Sequence, residues 1–250
     1  MGNLEKLSLS VRFGEKDSFI DGTYLDNYVC STMAYLHTFE FDIVTEHVRF
    51  NEGEDKPTAN DIRRTFMERG YDVGCYIDYY QFFNSNRCHV FSLPFNMEHI
   101  HNITPSFSGG MFINIRVLDL KHDRRPFEHK FFALISRSFP YLNRLTIHNP
   151  EEQKEKDEKK CLIINFSHLV ELNLCSAHID YVEQFLSDSN TQLPCLNKMH
   201  ISYQDLVTIT ENFTRNTTRM NCAKLKYIIF HRKITTVHSK DYYLYFPLLL

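Results

Sequence analysis

Glycine is scarce in this sequence, with 8 residues in 250, and no phosphate-cradling loop can be assembled from it: neither G-x-x-x-x-G-K-[ST] nor G-x-G-x-x-G occurs. H-E-x-x-H and C-x-x-C are absent too, which removes the common zinc and dithiol signatures. The G-x-S-x-G nucleophile elbow fails at one position, because Ser108-Gly109-Gly110 is preceded by Ser106 where glycine is needed. Positive charge is not in excess. The 28 Lys and Arg stand against 31 Asp and Glu, a formal net charge of -3, which argues against a nucleic-acid partner. The longest uncharged apolar stretch, 242–250, is about half of what a bilayer-spanning helix requires, so no membrane segment is expected. Seven cysteines, Cys30, Cys75, Cys88, Cys161, Cys175, Cys195 and Cys222, are odd in number and scattered. With no apolar leader at the start, they read as reduced thiols in a cytoplasmic or nuclear protein.

What the sequence has is apolar bulk and a repeat. Hydrophobic residues make up 43%, including 21 Phe and 14 Tyr, enough for one large domain over 1–250 without disulfide or metal. A motif of apolar residues spaced L-x-x-L-x-L recurs at Leu4-Leu7-Leu9, Leu36-Phe39-Phe41, Cys88-Phe91-Leu93, Ile115-Leu118-Leu120, Leu142-Leu145-Ile147, Leu169-Leu172-Leu174, Leu196-Met199-Ile201 and Leu225-Ile228-Phe230. Its first positions, 88, 115, 142, 169 and 196, stand 27 residues apart, and the last step, to 225, is 29. Alternation at the end of each copy marks a short strand with one buried face. Segments with helical spacing lie between: Phe127, Phe131, Leu134 and Ile135; Ile179, Val182, Phe185 and Leu186; Leu206, Ile209 and Phe213. Pro140 and Pro194 stop the preceding segment two residues before a strand's first Leu. Strand and helix alternating at this period predict an α/β leucine-rich-repeat solenoid of the ribonuclease-inhibitor type, curved and with parallel strands.

The first 87 residues are less regular. A helix is expected over 22–33, started by Asp21, and another over Asp61–Arg69, closed by Gly70. The 52 residues from Leu36 to Cys88 fit two near-27-residue units, or else Cys75 to Phe83 and Cys88 to Phe95 form an inserted hairpin across Asn84-Ser85-Asn86-Arg87, and the hairpin is preferred. Glu151 to Lys160, five acids and four lysines with no apolar residue, reads as a mobile surface loop. Residues 231–250 form a C-terminal tail.

If the fourth and sixth motif positions point inward, the third, fifth and seventh point out, onto the concave side of the sheet. The fifth-position column reads Ser8, Glu40, Ser92, Asp119, Thr146, Asn173, His200 and Ile229. Arg144, Glu171, Lys198 and Tyr227 occupy the third position, and Lys121, His148, Cys175, Ser202 and His231 the seventh. Their mixed polar, charged and aromatic character suits a protein-binding surface, or else merely solvates an exposed sheet. Elsewhere His99 and His101 near Glu98 offer two ligands without a third, and Cys175 near His178 lacks an orienting partner. No catalytic residue, metal or cofactor is expected.

Several longer runs carry a resemblance: Cys88-His89-Val90-Phe91-Ser92-Leu93-Pro94-Phe95, Gly109-Gly110-Met111-Phe112, Arg125-Pro126-Phe127-Glu128-His129-Lys130-Phe131-Phe132, Ser138-Phe139-Pro140, Asp180-Tyr181-Val182-Glu183-Gln184-Phe185-Leu186 and Asn212-Phe213-Thr214-Arg215. With these the chain resembles the leucine-rich-repeat half of F-box proteins, most tightly from residue 88 onward. The resemblance implies a substrate receptor whose repeats bind a target protein. In such proteins an N-terminal F-box docks onto the Skp-type adaptor of a cullin-RING ubiquitin ligase. No L-P-x-E opening with paired amphipathic helices precedes the repeats here, so adaptor binding is expected only with an F-box upstream. The Asn that closes each leucine-rich repeat survives only as Asn96 among the sites compared.

Overall fold

The computed structural model describes residues 4–29, 31, 33, 35–51, 53–80, 85–122, 124–155, 162–231 and 240–249. The chain is a mixed α/β protein that separates into two compact units, Met1–Met97 and Glu98–Leu250.

In the first unit, β1 (Lys6–Phe13) and β2 (Thr38–Val48) run parallel, in register from Lys6 opposite Thr38 to Phe13 opposite Thr45. The helix between them, α1 (Gly22–Tyr28), begins where Asp21 accepts the Tyr24 amide at 2.8 Å, as its sequence position suggests, but stops five residues short of the expected end. The second helix, α2 (Ala59–Met67), starts earlier than expected. Thr58 is its cap and Asp61 its third residue, and the two exchange hydrogen bonds in a capping box, Asp61 N to Thr58 Oγ1 and Thr58 N to Asp61 Oδ2. Gly70, with φ of 80°, ends the segment as anticipated. The helices touch at Gly22, whose amide donates to Thr65 Oγ1 at 2.8 Å; a Cβ there would lie 2.3 Å from the Thr65 carbonyl oxygen. Only glycine lets the two backbones approach so closely.

The hairpin exists. β3 (Val73–Asp78) and β4 (Asn86–Ser92) pair antiparallel, Cys75 opposite Val90 and Ile77 opposite Cys88, and β4 also runs antiparallel to β2, giving the order β1-β2-β4-β3. This corrects two expectations. The turn lies before Asn86, since Asn86 and Arg87 already belong to β4, and residues 81–84 lie outside the described part. The strand at Cys88 is not the first of the parallel repeats: so short a connection from β3 can only reverse the chain. Lying between β2 and β3, it is buried along its whole length. The core around it holds Phe41 against Phe66, with Ile43, Val48, Leu25 and Ile62.

The second unit is built on a six-stranded sheet of order β12-β11-β9-β7-β6-β5, with every neighbouring pair parallel. Its strands are β5 (His99–Ile103), β6 (Val117–Lys121), β7 (Arg144–Asn149), β9 (Glu171–Ala177), β11 (Lys198–Ile201) and β12 (Tyr227–Phe230). The short strands β8 (Ile164–Asn165) and β10 (Thr191–Gln192) form a second parallel pair. Helices α3 (His129–Ser138), α4 (Ile179–Leu186), α5 (Tyr203–Ile209) and α6 (Asn216–Cys222) intervene, and α7 (Lys240–Tyr245) follows β12.

The 27-residue period is written in the backbone. The carbonyls of Arg116, Asn143 and Val170 each accept two amides from the start of the next strand: Asn143 and Arg144, Val170 and Glu171, Asn197 and Lys198. Glu98 starts this series and Asn197 continues it to Lys226 and Tyr227. Glu5 does the same for His37 and Thr38 in the first unit. Motif positions one, four and six are sealed at 115, 118, 120, 142, 145, 147, 169, 172, 174, 196, 199 and 201, none more than 2% exposed. At about 2 kcal/mol for each buried large apolar side chain, this face dominates the unit's stability. A further column, unread in the sequence, is Phe112, Phe139, Phe166 and Leu193, also 27 residues apart and buried, with Phe112 stacked on Phe139 at 5.2 Å. In the last three units it receives the amide of the strand's first Leu, closing a turn: Leu142 to Phe139, Leu169 to Phe166 and Leu196 to Leu193.

The charged stretch is less loose than its composition suggests. Gln153 is 1% exposed, its Nε2 donating to the Phe127 carbonyl at 2.8 Å and its amide to Asp180 Oδ2 at 2.9 Å. The Lys154 and Glu155 amides donate to the Glu128 carboxylate. A long amide side chain in a polar run can thus reach a backbone acceptor in the core, while residues 156–160 lie outside the described part. The C-terminal segment is not a loose tail either: Tyr242, Tyr245 and Phe246 are buried around Phe213. Phe213 is turned inward by three left-handed residues, Glu211 to Phe213.

Candidate binding face

The parallel register aligns the outward positions of the six-stranded sheet. Arg144, Glu171, Lys198 and Tyr227 stand opposite one another on successive strands, as do Asp119, Thr146, Asn173, His200 and Ile229. Cross-strand neighbours lie close enough to pair, and at Glu171 three do. Arg144 Nε donates to Oε2 at 3.1 Å, while Lys198 Nζ at 3.1 Å and His200 Nε2 at 2.9 Å reach Oε1. Burial would raise the Glu171 pKa, but the hydrogen bonds from Lys198 and His200 and the charges of Arg144 and Lys198 outweigh it and hold the carboxyl below the ordinary range. The result is a fixed polar platform spanning three strands.

A second histidine–carboxylate contact lies toward the other edge, where His101 Nδ1 meets Asp119 Oδ2 at 2.7 Å and the His99 and His101 rings stack 6.1 Å apart. Burial opposes ionisation of Asp119, yet the bonds from His101 and Thr146 and the nearby His148 leave its pKa lowered. His101 thus serves a carboxylate. Among the described residues no group of three or more His, Cys, Asp and Glu is placed to hold a metal ion. Beyond the platform, Tyr227 is 48% and Ile229 42% exposed, an apolar patch beside the charges.

Several of the outward positions depart from the columns. A register shift in β9 sets His148 opposite Ser176, so Cys175 leaves the seventh column. Its thiol pKa is raised by burial, the opposite of an activated nucleophile. His231 lies just past β12, exposed, and Lys121 and His148 remain paired at the carboxyl ends of β6 and β7. Glu40 belongs to the other sheet. It sits on β2 of the first unit, 9% exposed, accepting from Ser8 Oγ and Asn96 Nδ2 at 2.9 and 3.0 Å, with Lys6 3.6 Å away. The bond from Asn96 outweighs burial, and with Ser8 and Lys6 it lowers the Glu40 pKa. Ser92 is likewise on that sheet, its hydroxyl accepting the Phe41 amide.

The same sheet contains a polar chain without a sequence signal. Asp42 Oδ1 lies 2.5 Å from His89 Nε2, His89 Nδ1 lies 2.6 Å from the Tyr76 hydroxyl, and Ser10 donates to Asp42 Oδ2 at 3.1 Å. Asp42 and His89 are 1% and 0% exposed. Their 47-residue separation shows as proximity only once β2 and β4 pair. Asp42, His89 and Tyr76 are buried while Ser10 is exposed, and the chain of contacts links all four strands of the sheet.

No helix among the described residues is long and apolar enough to cross a membrane. Comparison of the chain with family models, with curated proteins and with solved structures finds no significant match.

Proposed function

We propose that this chain is a protein-binding module of the leucine-rich-repeat type, a curved solenoid serving as the substrate-recognition part of an F-box protein in a cullin-RING ubiquitin ligase. The reading is of a binding module and not of an enzyme. The observation that carries its binding half is the Glu171 platform. Arg144, Lys198 and His200 are held by one carboxylate beside the exposed Tyr227 and Ile229, and this combination of ordered charge and aromatic surface is typical of interface hot spots. The parallel strands and the 27-residue recurrence of their hydrogen bonds support the repeat reading. The ligase half rests on the sequence resemblance alone.

The test is in-cell crosslinking of the chain, with and without the double change Arg144→Ala and Tyr227→Ala, followed by mass spectrometry. Targets lost with the double change support the face; an unchanged target set counts against it. Recovery of a Skp-type adaptor and faster target turnover with the full gene product support the ligase role. Target binding with neither marks a repeat scaffold with no part in ubiquitin transfer.

A further inference from the structure

At the carboxyl ends of β6, β7 and β9 the chain leaves an open groove of about 730 Å³. Its floor is apolar, formed by Pro150, Ala177 and Ile179. Lys121 and His148, directly opposite in the β6–β7 register, line it together with His178 and Asp205. The register shift in β9 that displaces Cys175 brings Ser176 and Ala177 into the groove instead.

The charges in this groove are unevenly spent. Neither the Lys121 ammonium nor the His148 imidazole has a hydrogen-bond or ion-pair partner among the described residues, and the nearby carboxylate of Asp119 is already engaged by His101. The one acid among the described lining residues, Asp205, has its pKa raised by burial, against the pull of Ser202 and His178. A basic pair with no hydrogen-bonded or ion-paired carboxylate among the described residues, beside a short apolar floor, is complementary to a carboxylate carried next to an aliphatic side chain. The volume lies within the range that holds such a group.

We propose that this groove receives an acidic segment of a partner protein, with a Glu or Asp carboxylate against Lys121 and His148 and an adjoining aliphatic side chain on Pro150, Ala177 and Ile179. The proposal rests on the protein-binding reading and names the chemistry of the partner. Its probe is a fluorescein-labelled peptide of alternating glutamate and leucine, compared by anisotropy with the same peptide carrying glutamine. The glutamate form should bind the native chain at least about tenfold more tightly, the equivalent of roughly 1.4 kcal/mol. Lys121→Glu should abolish this preference, and Ala177→Phe, which fills the floor, should weaken glutamate-peptide binding, with unfolding midpoints recorded to exclude misfolding. Equal binding of the two peptides, or a preference that survives Lys121→Glu, overturns the proposal. If the peptide fails while crosslinking through Arg144 and Tyr227 persists, the groove falls alone. If the peptide binds as expected while the Arg144 and Tyr227 double change leaves the target set intact, the groove stands and the wider face falls.

Discussion

Asp42 and His89 in the four-stranded sheet and Glu171 with Arg144, Lys198 and His200 in the six-stranded sheet are both polar clusters on β-strands, and they differ in what surrounds them. Asp42 and His89 lie on β2 and β4, the two inner strands of their sheet, most of whose residues are buried, and each has exchanged water for two protein partners. Glu171 is 15% exposed in its side chain and Arg144 52%, so that cluster keeps much of its hydration. In the first case a lost partner strands a buried polar group; in the second, water replaces it. A strand in the middle of a sheet and buried on both faces therefore uses polar residues to fix its register, whereas a sheet with one open face can present them to a partner.

The largest expected effect tests the sealed side of the open-faced sheet. Leu172→Asp would place an unpaired carboxylate at a position 0% exposed and should cost about 5 kcal/mol or prevent folding of the second unit, read by denaturant unfolding. Unchanged unfolding would show the assignment of its two faces to be wrong. Next comes the sealed pair: His89→Ala should cost about 3–5 kcal/mol, while the double change Asp42→Val with His89→Leu should cost clearly less than the two single changes added together. Additive costs would mean that the two residues do not work as a pair.

A smaller effect is expected where backbones meet. Gly22→Ala should destabilise the first unit by about 2 kcal/mol, seen as faster amide exchange in α1 and α2, because the added Cβ forces the Thr65 carbonyl away.

The smallest effect is at Glu171. Its folded pKa lies below the ordinary 4.5, so its stabilising contribution is present above that value and is lost as pH falls through the depressed one. Glu171→Gln should therefore cost about 1 kcal/mol at neutral pH and progressively less below pH ~4. A cost matching that of His89→Ala, or one independent of pH, would erase the distinction between the two clusters.

Periodicity explains what could be read in advance. The 27-residue spacing of Ile115, Leu142, Leu169 and Leu196 places four parallel strands and says which side chains each buries, because a strand alternates with period two and a repeat must stack in register. The outward columns through Arg144, Glu171 and Lys198 follow from the same arithmetic. Caps at Asp21 and the stop at Gly70 were legible because they act within a few residues. Strand β5 was not: its irregular pairing between Ile100 and Ile103 and the left-handed Asn102 erase the apolar spacing that marks the other strands.

What the sequence by itself determined, then, is everything governed by local period: the repeat, its buried leucines and the columns opposite them. What only the tertiary structure decided is everything that depends on which distant segments meet. The direction of β4, the sealing of Asp42 against His89, the burial of Gln153 and the groove at Lys121 and His148 all belong here. None has a spacing of its own, because a contact between segments tens of residues apart is set by how strands pair and where the chain turns back, not by the residues between.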